Sequence, residues 1–169
     1  MQEKRHIKEI DSTYKGFRYL VLGLEHGHRC GYVRIPKGHK LYEKDYSAET
    51  EVKMSDLKDE QIGKRGIIPM MVQAMGKSEK VSIDCLFDVH GGITFASTFP
   101  WYRGWWIGFD CAHMGDAKDP SLLSDSYKES FSRYPSIMGM AGDVIRTKEY
   151  VEQECKNLID QIIKYFGKE

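Results

Sequence analysis

Two short segments of the chain carry histidines beside aspartates, residue types that exchange protons near neutral pH. Segment 88–94 reads Asp-Val-His-Gly-Gly-Ile-Thr, and segment 110–116 reads Asp-Cys-Ala-His-Met-Gly-Asp. A histidine with a carboxylate partner can act as general base, general acid or metal ligand, because its pKa begins near ~6.5 and a neighbouring charge shifts it. We predict that these segments form the functional site, with His90 and His113 as acid and base and Asp110 as the residue that orients one of them.

Strand alternation predicts where a ligand would lie between these segments. In the run 105–112, one set of alternate residues is apolar and should face the core: Trp105, Ile107, Phe109 and Cys111. The other set is small and acidic apart from one tryptophan: Trp106, Gly108, Asp110 and Ala112. In the preceding strand the same alternation separates Ile93 and Phe95 from Thr94 and Ala96. Gly108 and Asp110, with Thr94 and Ala96, would form a shallow floor, flanked by large residues, that a ligand can approach closely.

The residue types around this floor suit a ligand that carries phosphate. The amides of Gly91 and Gly92 and the hydroxyl of Thr94 can donate hydrogen bonds to phosphate, and Trp106 and Asp116 lie on the predicted ligand side. Arg34 belongs to a second polar group, 26–40, which could supply a cationic wall. For His26 and Lys40 in that group, a solvated surface position is the expected alternative.

Other roles remain open for the same side chains. Asp88 and Asp116 could brace turns, because aspartate often hydrogen-bonds to local backbone. A divalent metal is an alternative to metal-free chemistry, with His90, Asp110, His113 and Asp116 as its ligands. The spacing matches no strong metal signature, so no cofactor is expected. Phosphate-binding loops, dinucleotide-binding fingerprints and nucleophile-elbow motifs are absent from the sequence.

Composition excludes several classes of partner. Among 169 residues, 25 lysines and arginines balance 25 aspartates and glutamates, which argues against binding to duplex nucleic acid. No run approaches the ~20 apolar residues of a membrane span, so no membrane partner is expected. The first residues lack the apolar stretch of a signal peptide, which predicts a cytoplasmic protein. The four cysteines are widely spaced, as is typical of reduced thiols. A homo-oligomer is left open.

The elements that would position the site are mainly strands. Residues 17–24 and 30–35 are β-rich and flank a turn that contains glycine, so they predict a hairpin. Runs 81–87, 92–97 and 105–111 predict three further strands in an antiparallel meander.

The rest of the chain predicts one helix and two irregular segments. Apolar residues recur at helical spacing from Val151 to Phe166, with Thr147 as N-cap and Gly167 as the stop. Segments 39–80 and 114–142 are expected to be irregular or inserted, apart from a short helix or turn near 55–62. The prediction is a single α+β domain, 1–169, with an antiparallel sheet of about five strands and a C-terminal amphipathic helix packed on one face.

Three blocks of sequence resemble a family of small proteins encoded by phages and prophages. They are Cys-Gly-Tyr-Val-x-Ile-Pro-x-Gly-His at 30–39, Asp-Val-His-Gly-Gly-Ile-Thr-Phe at 88–95 and Trp-Trp-Ile-Gly-Phe-Asp-Cys-Ala-His-x-Gly-Asp at 105–116. The start of the last helix, 150–155, is similar too, and the segment 47–80 has no counterpart. The resemblance implies a phage context, located in the host cytoplasm. By analogy alone, small phage proteins of this kind often counter host defence.

These observations lead to three hypotheses. The first is a phage-type anti-defence enzyme that binds a small nucleotide-like phosphate ligand, such as a cyclic nucleotide signal, and hydrolyses it like a phosphodiesterase. The second is a non-catalytic protein that sequesters a nucleotide immune signal at the same site. The third is an inhibitor that binds a host defence protein through segments 39–80 or 117–142.

Overall fold

A five-stranded antiparallel sheet forms the centre of the protein in the computed structural model, which describes residues 6–57 and 79–168. Its strands are β1 (His6–Tyr14), β2 (Phe17–Leu24), β3 (Arg29–Ile35), β6 (Phe95–Thr98) and β7 (Trp105–Asp110). Their order across the sheet is β1-β2-β3-β7-β6. Two small pairs lie outside it: β4 (Glu49–Lys53) with β5 (Lys80–Ser82), and β8 (Asp116–Ala117) with β9 (Val144–Ile145).

The C-terminal helix α3 (Lys148–Phe166) packs on one face of this sheet, against β1, β2 and β3. Its N-cap is Thr147, whose hydroxyl accepts a hydrogen bond from the Tyr150 amide at 3.2 Å, and Gly167 ends it with a positive φ of 81°. The buried stripe of the helix consists of Val151, Cys155, Leu158, Ile159 and Ile162. The prediction of an α+β fold with about five antiparallel strands and a packed C-terminal helix is confirmed.

Apolar side chains cover both faces of the sheet. The larger core lies under α3 and includes Val33, Ile107, Phe109 and Cys111. The opposite face carries a smaller cluster around Trp106, to which Leu20, Leu22 and Tyr102 belong. Its partly buried members include Tyr32 and Phe95. The face that sequence alternation assigned to a ligand is therefore filled by aromatic rings along most of its length.

Several local predictions were wrong. Residues 83–86 form the short helix α1 (Ile83–Leu86) instead of continuing the strand that begins at Lys80. The meander consequently reduces to the β6–β7 hairpin, and the sheet gains β1 at its edge instead. Segment 114–142 contains helix α2 (Asp125–Arg133) between two 3₁₀ turns, Pro120–Leu122 and Pro135–Met138.

The segment 39–80 is only partly described. Besides β4 it contains a 3₁₀ turn, Met54–Asp56, where a short helix or turn was predicted near 55–62. Residues 58–78 lie outside the described ranges. All four cysteines, Cys30, Cys85, Cys111 and Cys155, are buried free thiols. Among the described residues, none of the helices has the length and apolar character needed to span a membrane.

Candidate functional site at one end of the sheet

The two segments singled out in the sequence meet at one end of the sheet. Antiparallel pairing sets Cys30 of β3 opposite Asp110 at the end of β7, and sets Phe95 at the start of β6 opposite Gly108. Thr94, just before β6, donates its amide to the Gly108 carbonyl at 3.0 Å. The start of β6, the end of β7 and the start of β3 therefore lie side by side, and the residues that follow Asp110 lie over this edge.

The first histidine–carboxylate pair is buried and fully hydrogen-bonded. His90 Nε2 lies 2.7 Å from Asp116 Oδ2, and its Nδ1 lies 3.0 Å from the Tyr150 hydroxyl. Because a carboxylate can only accept, Nε2 carries the proton that Asp116 accepts. In the neutral ring Nδ1 then accepts the Tyr150 proton. The side chain of Asp116 is 1% exposed and that of His90 is 13% exposed.

Asp116 is the centre of an inner hydrogen-bond network that includes His90, Tyr150 and Arg146. Besides His90, its carboxylate accepts from Arg146 Nε at 2.7 Å and from the His113 amide at 3.0 Å. Burial works to raise the pKa of Asp116, but the hydrogen bonds from Arg146, His90 and the amide outweigh it and lower the pKa. Asp116 is therefore ionised at neutral pH.

Backbone contacts hold His90 in place from the side of α3. Glu154 accepts the His90 amide at 2.8 Å, and burial raises the pKa of that carboxyl. Asp88 is clamped through its backbone, which bonds to the side chains of Asn157 and Gln161. These contacts hold Asp88 through its backbone, whereas the Asp116 carboxylate itself bonds to both histidine residues.

The second pair, His113 and Asp110, is more open. His113 Nε2 lies 3.4 Å from Asp110 Oδ1, which is too long for a good hydrogen bond but close enough for an ion pair when the ring is protonated. The side chains are 37% and 32% exposed. Asp110 also accepts the Thr94 hydroxyl at 2.9 Å and the Ala112 amide at 3.1 Å. Among the described residues, His113 Nε2 is buried with no hydrogen-bond partner.

Gly91 allows the His113 ring to lie close to the backbone of the 88–94 segment, because glycine has no side chain. It has a positive φ of 67°, and a Cβ built on it would overlap His113 Nε2. The centroids of the His90 and His113 rings are 5.7 Å apart. Gly92 also has a positive φ, but its amide donates to the Val89 carbonyl at 2.9 Å, so it already has a partner in the turn.

Two residues predicted to bind ligand lie apart from this cluster. Trp106 is fully buried among Phe99 and Tyr102, and its indole N–H donates to the Tyr102 carbonyl at 3.2 Å. Arg34 pairs with Trp106 in the sheet register, four positions along β3 from the Cys30–Asp110 pair.

The prediction of a shallow floor is also wrong, because aromatic rings fill that face of the sheet. Phe95 lies opposite Gly108, so it shares the Gly108 face, and Ala96, opposite Ile107, packs on the larger core. A Cβ on Gly108 would collide with the Tyr32 ring, which occupies the space that the glycine leaves.

Sequence reasoning missed four residues around the pairs: Arg146, Tyr150, Glu154 and Lys118. Tyr150 and Glu154 are separated by one helical turn beside the apolar stripe of α3, and that spacing places them on one helix face. This signal could have drawn attention to them once the helix was predicted to pack on the sheet. Arg146 and Lys118 lie in irregular segments, and no periodicity marks them.

The turn between β2 and β3 adds further basic groups near the same edge. Lys118 Nζ lies 3.0 Å from His28 Nε2, and the His26 and His28 rings are 5.5 Å apart. The Asp110 carboxylate acts electrostatically on His26, and that of Asp116 acts on His28. Burial lowers the pKa of Lys118 and of both histidines. Four of the six histidines thus gather at this end of the sheet.

A buried arginine ties the surrounding loops to the sheet. Arg29 donates to Glu9 at 2.6 and 3.0 Å, to Asp119 at 2.7 Å and to the Arg146 carbonyl at 3.1 Å. The segment that carries Asp116 and the segment that carries Arg146 are therefore fixed to the same point on β3.

The same side chains are not grouped as metal ligands in the part of the chain that the structure describes. Among residues 6–57 and 79–168, no group of three or more His, Cys, Asp or Glu side chains is arranged to hold a metal ion. The four alternative ligands instead form two separate pairs, His90 with Asp116 and His113 with Asp110. A cavity of about 200 Å³ lies elsewhere, beside β4 and the end of α3, where Lys40, Thr50 and Phe166 contribute to its wall.

Comparison of the chain with protein-family models, with curated proteins and with solved structures found no match.

Proposed function

We propose that the protein binds a small nucleotide-like ligand at this end of the sheet and hydrolyses a phosphate ester bond in it. The observation that carries the proposal is the meeting of two histidine–aspartate pairs, with ring centroids 5.7 Å apart, one pair buried and one open. Phosphodiester hydrolysis needs one group that takes a proton and another that gives one. Two histidines in different surroundings can divide these tasks.

The residues divide into those that exchange protons and those that bind. His113 is the exposed member, and the Asp110 carboxylate lies beside its ring. His90, held by Asp116, supplies the second proton-transfer centre. Lys118 lies toward the same edge and supplies positive charge, which suits an anionic ligand, and the rings of His26 and His28 add N–H groups that can donate hydrogen bonds.

The resemblance to phage-encoded proteins supports a biological setting for this chemistry. In that setting the ligand is a nucleotide signal of host immunity and the protein is an anti-defence hydrolase of the host cytoplasm. A panel of cyclic and linear dinucleotides, incubated with the protein and analysed by mass spectrometry, tests the proposal.

We expect at least one panel member to be cleaved, and His113→Ala to slow that cleavage by about 100-fold or more. His6→Ala is the matched control, because His6 lies on the edge strand β1 and outside both pairs. The proposal fails if the unaltered protein cleaves no panel member, or if His113→Ala cleaves as fast as the unaltered protein.

One observation favours sequestration without turnover as a second candidate. Both ring nitrogens of His90 already have hydrogen-bond partners, which restricts its direct proton exchange with a ligand. In this case a ligand would be recovered intact after denaturation of its complex, in a one-to-one ratio with the protein. Recovery of cleaved products would exclude it.

A further inference from the structure

The hydroxyl of Tyr150 occupies the position of a nucleophile in the inner network. Asp116 accepts from His90 Nε2 at 2.7 Å, and His90 Nδ1 is 3.0 Å from the Tyr150 oxygen. A hydroxyl within hydrogen-bond reach of a base, with that base oriented by a third group, is the arrangement that activates nucleophiles in many hydrolases. Here the order is carboxylate, imidazole, phenol.

The surroundings of Tyr150 fit this role better than a packing role alone. Its side chain is half-buried, and the Arg146 guanidinium lies over its ring, 5.1 Å from the centroid. A positive charge there favours the phenolate that forms when the proton leaves. Tyr150 also lies in the first turn of α3, where the positive end of the helix dipole acts in the same direction.

Tyr150 cannot act without a base. Burial raises its pKa, and the nearby Glu154 carboxylate acts in the same sense, so the hydroxyl is protonated at neutral pH. His90 Nδ1 is the acceptor at hand. Both ring nitrogens of His90 have hydrogen-bond partners, but His90 can still take part in proton transfer. The group that contacts the ligand is then Tyr150, and His90 accepts the proton of its hydroxyl.

We propose that Tyr150 is the catalytic nucleophile of this site and that hydrolysis passes through a tyrosyl phosphate. This inference rests on the proposed hydrolase function. The Tyr150 oxygen forms a bond to phosphorus while the bond from phosphorus to the leaving oxygen breaks, and the phenol proton passes to His90 Nδ1. The leaving oxygen takes a proton from His113. Water then attacks phosphorus, His113 accepts the proton of that water, and the phenol oxygen departs and recovers its own proton from His90.

The probe that tests the proposal is bis(p-nitrophenyl) phosphate. One p-nitrophenolate leaves without needing a proton, and a p-nitrophenyl phosphoryl group stays on the protein. We expect rapid quenching in acid, followed by digestion and mass spectrometry, to find this group on the peptide that contains Tyr150. The linkage should survive acid, because phosphotyrosine esters are acid-stable whereas phosphohistidine is acid-labile.

A conservative variant tests the role of the Tyr150 hydroxyl independently of the role of its ring. Tyr150→Phe keeps the ring under Arg146 and removes only the oxygen, and it should lower turnover of the probe by at least about 100-fold. The matched control is Tyr165→Phe on the same helix, about 22 Å away along its axis, which should leave turnover within twofold. Because the adduct is mapped on the unaltered protein, the test stands even if Tyr150→Phe folds poorly.

The outcomes distinguish the two proposals. If the unaltered protein turns over the probe but Tyr150→Phe keeps more than a tenth of the rate, the nucleophile is not Tyr150 and the hydrolase function stands. The same conclusion follows if the adduct is lost in acid but is found on a histidine after quenching in alkali. If the unaltered protein turns over neither the probe nor any dinucleotide, both proposals fail.

Discussion

The two histidine–aspartate pairs are built from the same residue types but have different environments. In the inner pair, His90 with Asp116, the Asp116 side chain is 1% exposed and accepts three hydrogen bonds from separate segments. In the outer pair, His113 with Asp110, the Asp110 side chain is 32% exposed and its contact with His113 is 3.4 Å long. Burial makes each inner contact costly to lose, and exposure leaves the outer ring free to meet a ligand. This difference assigns stability and proton transfer through Tyr150 to the inner pair, and direct proton exchange with the ligand to the outer one.

The largest difference should appear when each carboxylate is neutralised. Asp116→Asn leaves Arg146 and the His90 ring without their charged acceptor, and should lower the free energy of unfolding by about 3 kcal/mol. Asp110→Asn is the matched change at the exposed position and should cost less than about 1 kcal/mol. Urea unfolding of both variants measures the difference. Equal losses would remove the distinction between the pairs.

A smaller effect should separate the two adjacent glycines. Gly91→Ala and Gly92→Ala both place a side chain at positive φ, which costs about 1–2 kcal/mol each. Only the Gly91 Cβ would overlap His113, since the nearest atom to a Gly92 Cβ is the Asp84 carbonyl oxygen at 3.8 Å.

We therefore expect Gly91→Ala to shift the His113 ring resonances and to lower probe turnover by at least tenfold more than Gly92→Ala does. Nuclear magnetic resonance and the p-nitrophenolate assay measure the two effects. If both variants behave alike, the close approach of His113 to Gly91 has no part in the site.

A third effect concerns pH and a histidine outside both pairs. His39 is buried, its Nδ1 accepts the Leu41 amide at 3.2 Å, and burial lowers its pKa. The unfolded chain therefore binds a proton more readily than the folded one below pH ~6.5, so stability falls as the pH falls from there.

The contribution of one such group is at most about 1.4 kcal/mol per pH unit. His39→Asn should flatten the decline in unfolding free energy between pH ~6.5 and ~5 by up to that amount, as measured by urea unfolding at each pH. An unchanged slope would show that His39 does not titrate on unfolding. Asp116, whose pKa is lowered, acts in a separate window below pH ~3.8, because its stabilising charge is lost only there.

The smallest effect is expected at Thr94. Thr94→Val removes the hydroxyl that donates to Asp110 but keeps the β-branched shape, and this exposed hydrogen bond should contribute less than about 1 kcal/mol to stability. Probe turnover should fall a few-fold, because Asp110 loses one of the groups that orient it. The matched change Thr98→Val at the far end of β6 should leave turnover unaltered. A large loss of stability in Thr94→Val would mean that Thr94 has a structural role.

Local patterns were enough to predict the β2–β3 hairpin and the helix α3. In both cases the signal lies within one segment: two β-rich runs around a glycine turn, and an apolar stripe with Thr147 and Gly167 at its ends. The failures involve contacts between segments. Phe95 was predicted to face the core but lies on the opposite face of the sheet. The face depends on the register of β6 against β7, and a single strand does not encode that pairing.

The same distinction holds for the candidate site. Residue types and spacing were enough to select His90, Asp110 and His113, and the ends of the strands bring them together. Their partners could not be predicted in the same way. His90 meets Asp116 across 26 residues and Tyr150 across 60, and those contacts depend on how α3 and the loop after β7 dock on the sheet.

The comparison between the pairs is tested most directly by chemical modification of the histidines with diethylpyrocarbonate, which acylates accessible unprotonated imidazoles. Peptide mapping during the reaction gives a rate for each histidine, and samples taken at the same times are assayed for probe turnover. We predict that His113 reacts at least tenfold faster than His90 and that turnover declines in step with its modification. Equal rates for the two rings, or full turnover after His113 is completely modified, would contradict the proposed division between a buried pair and a reactive one.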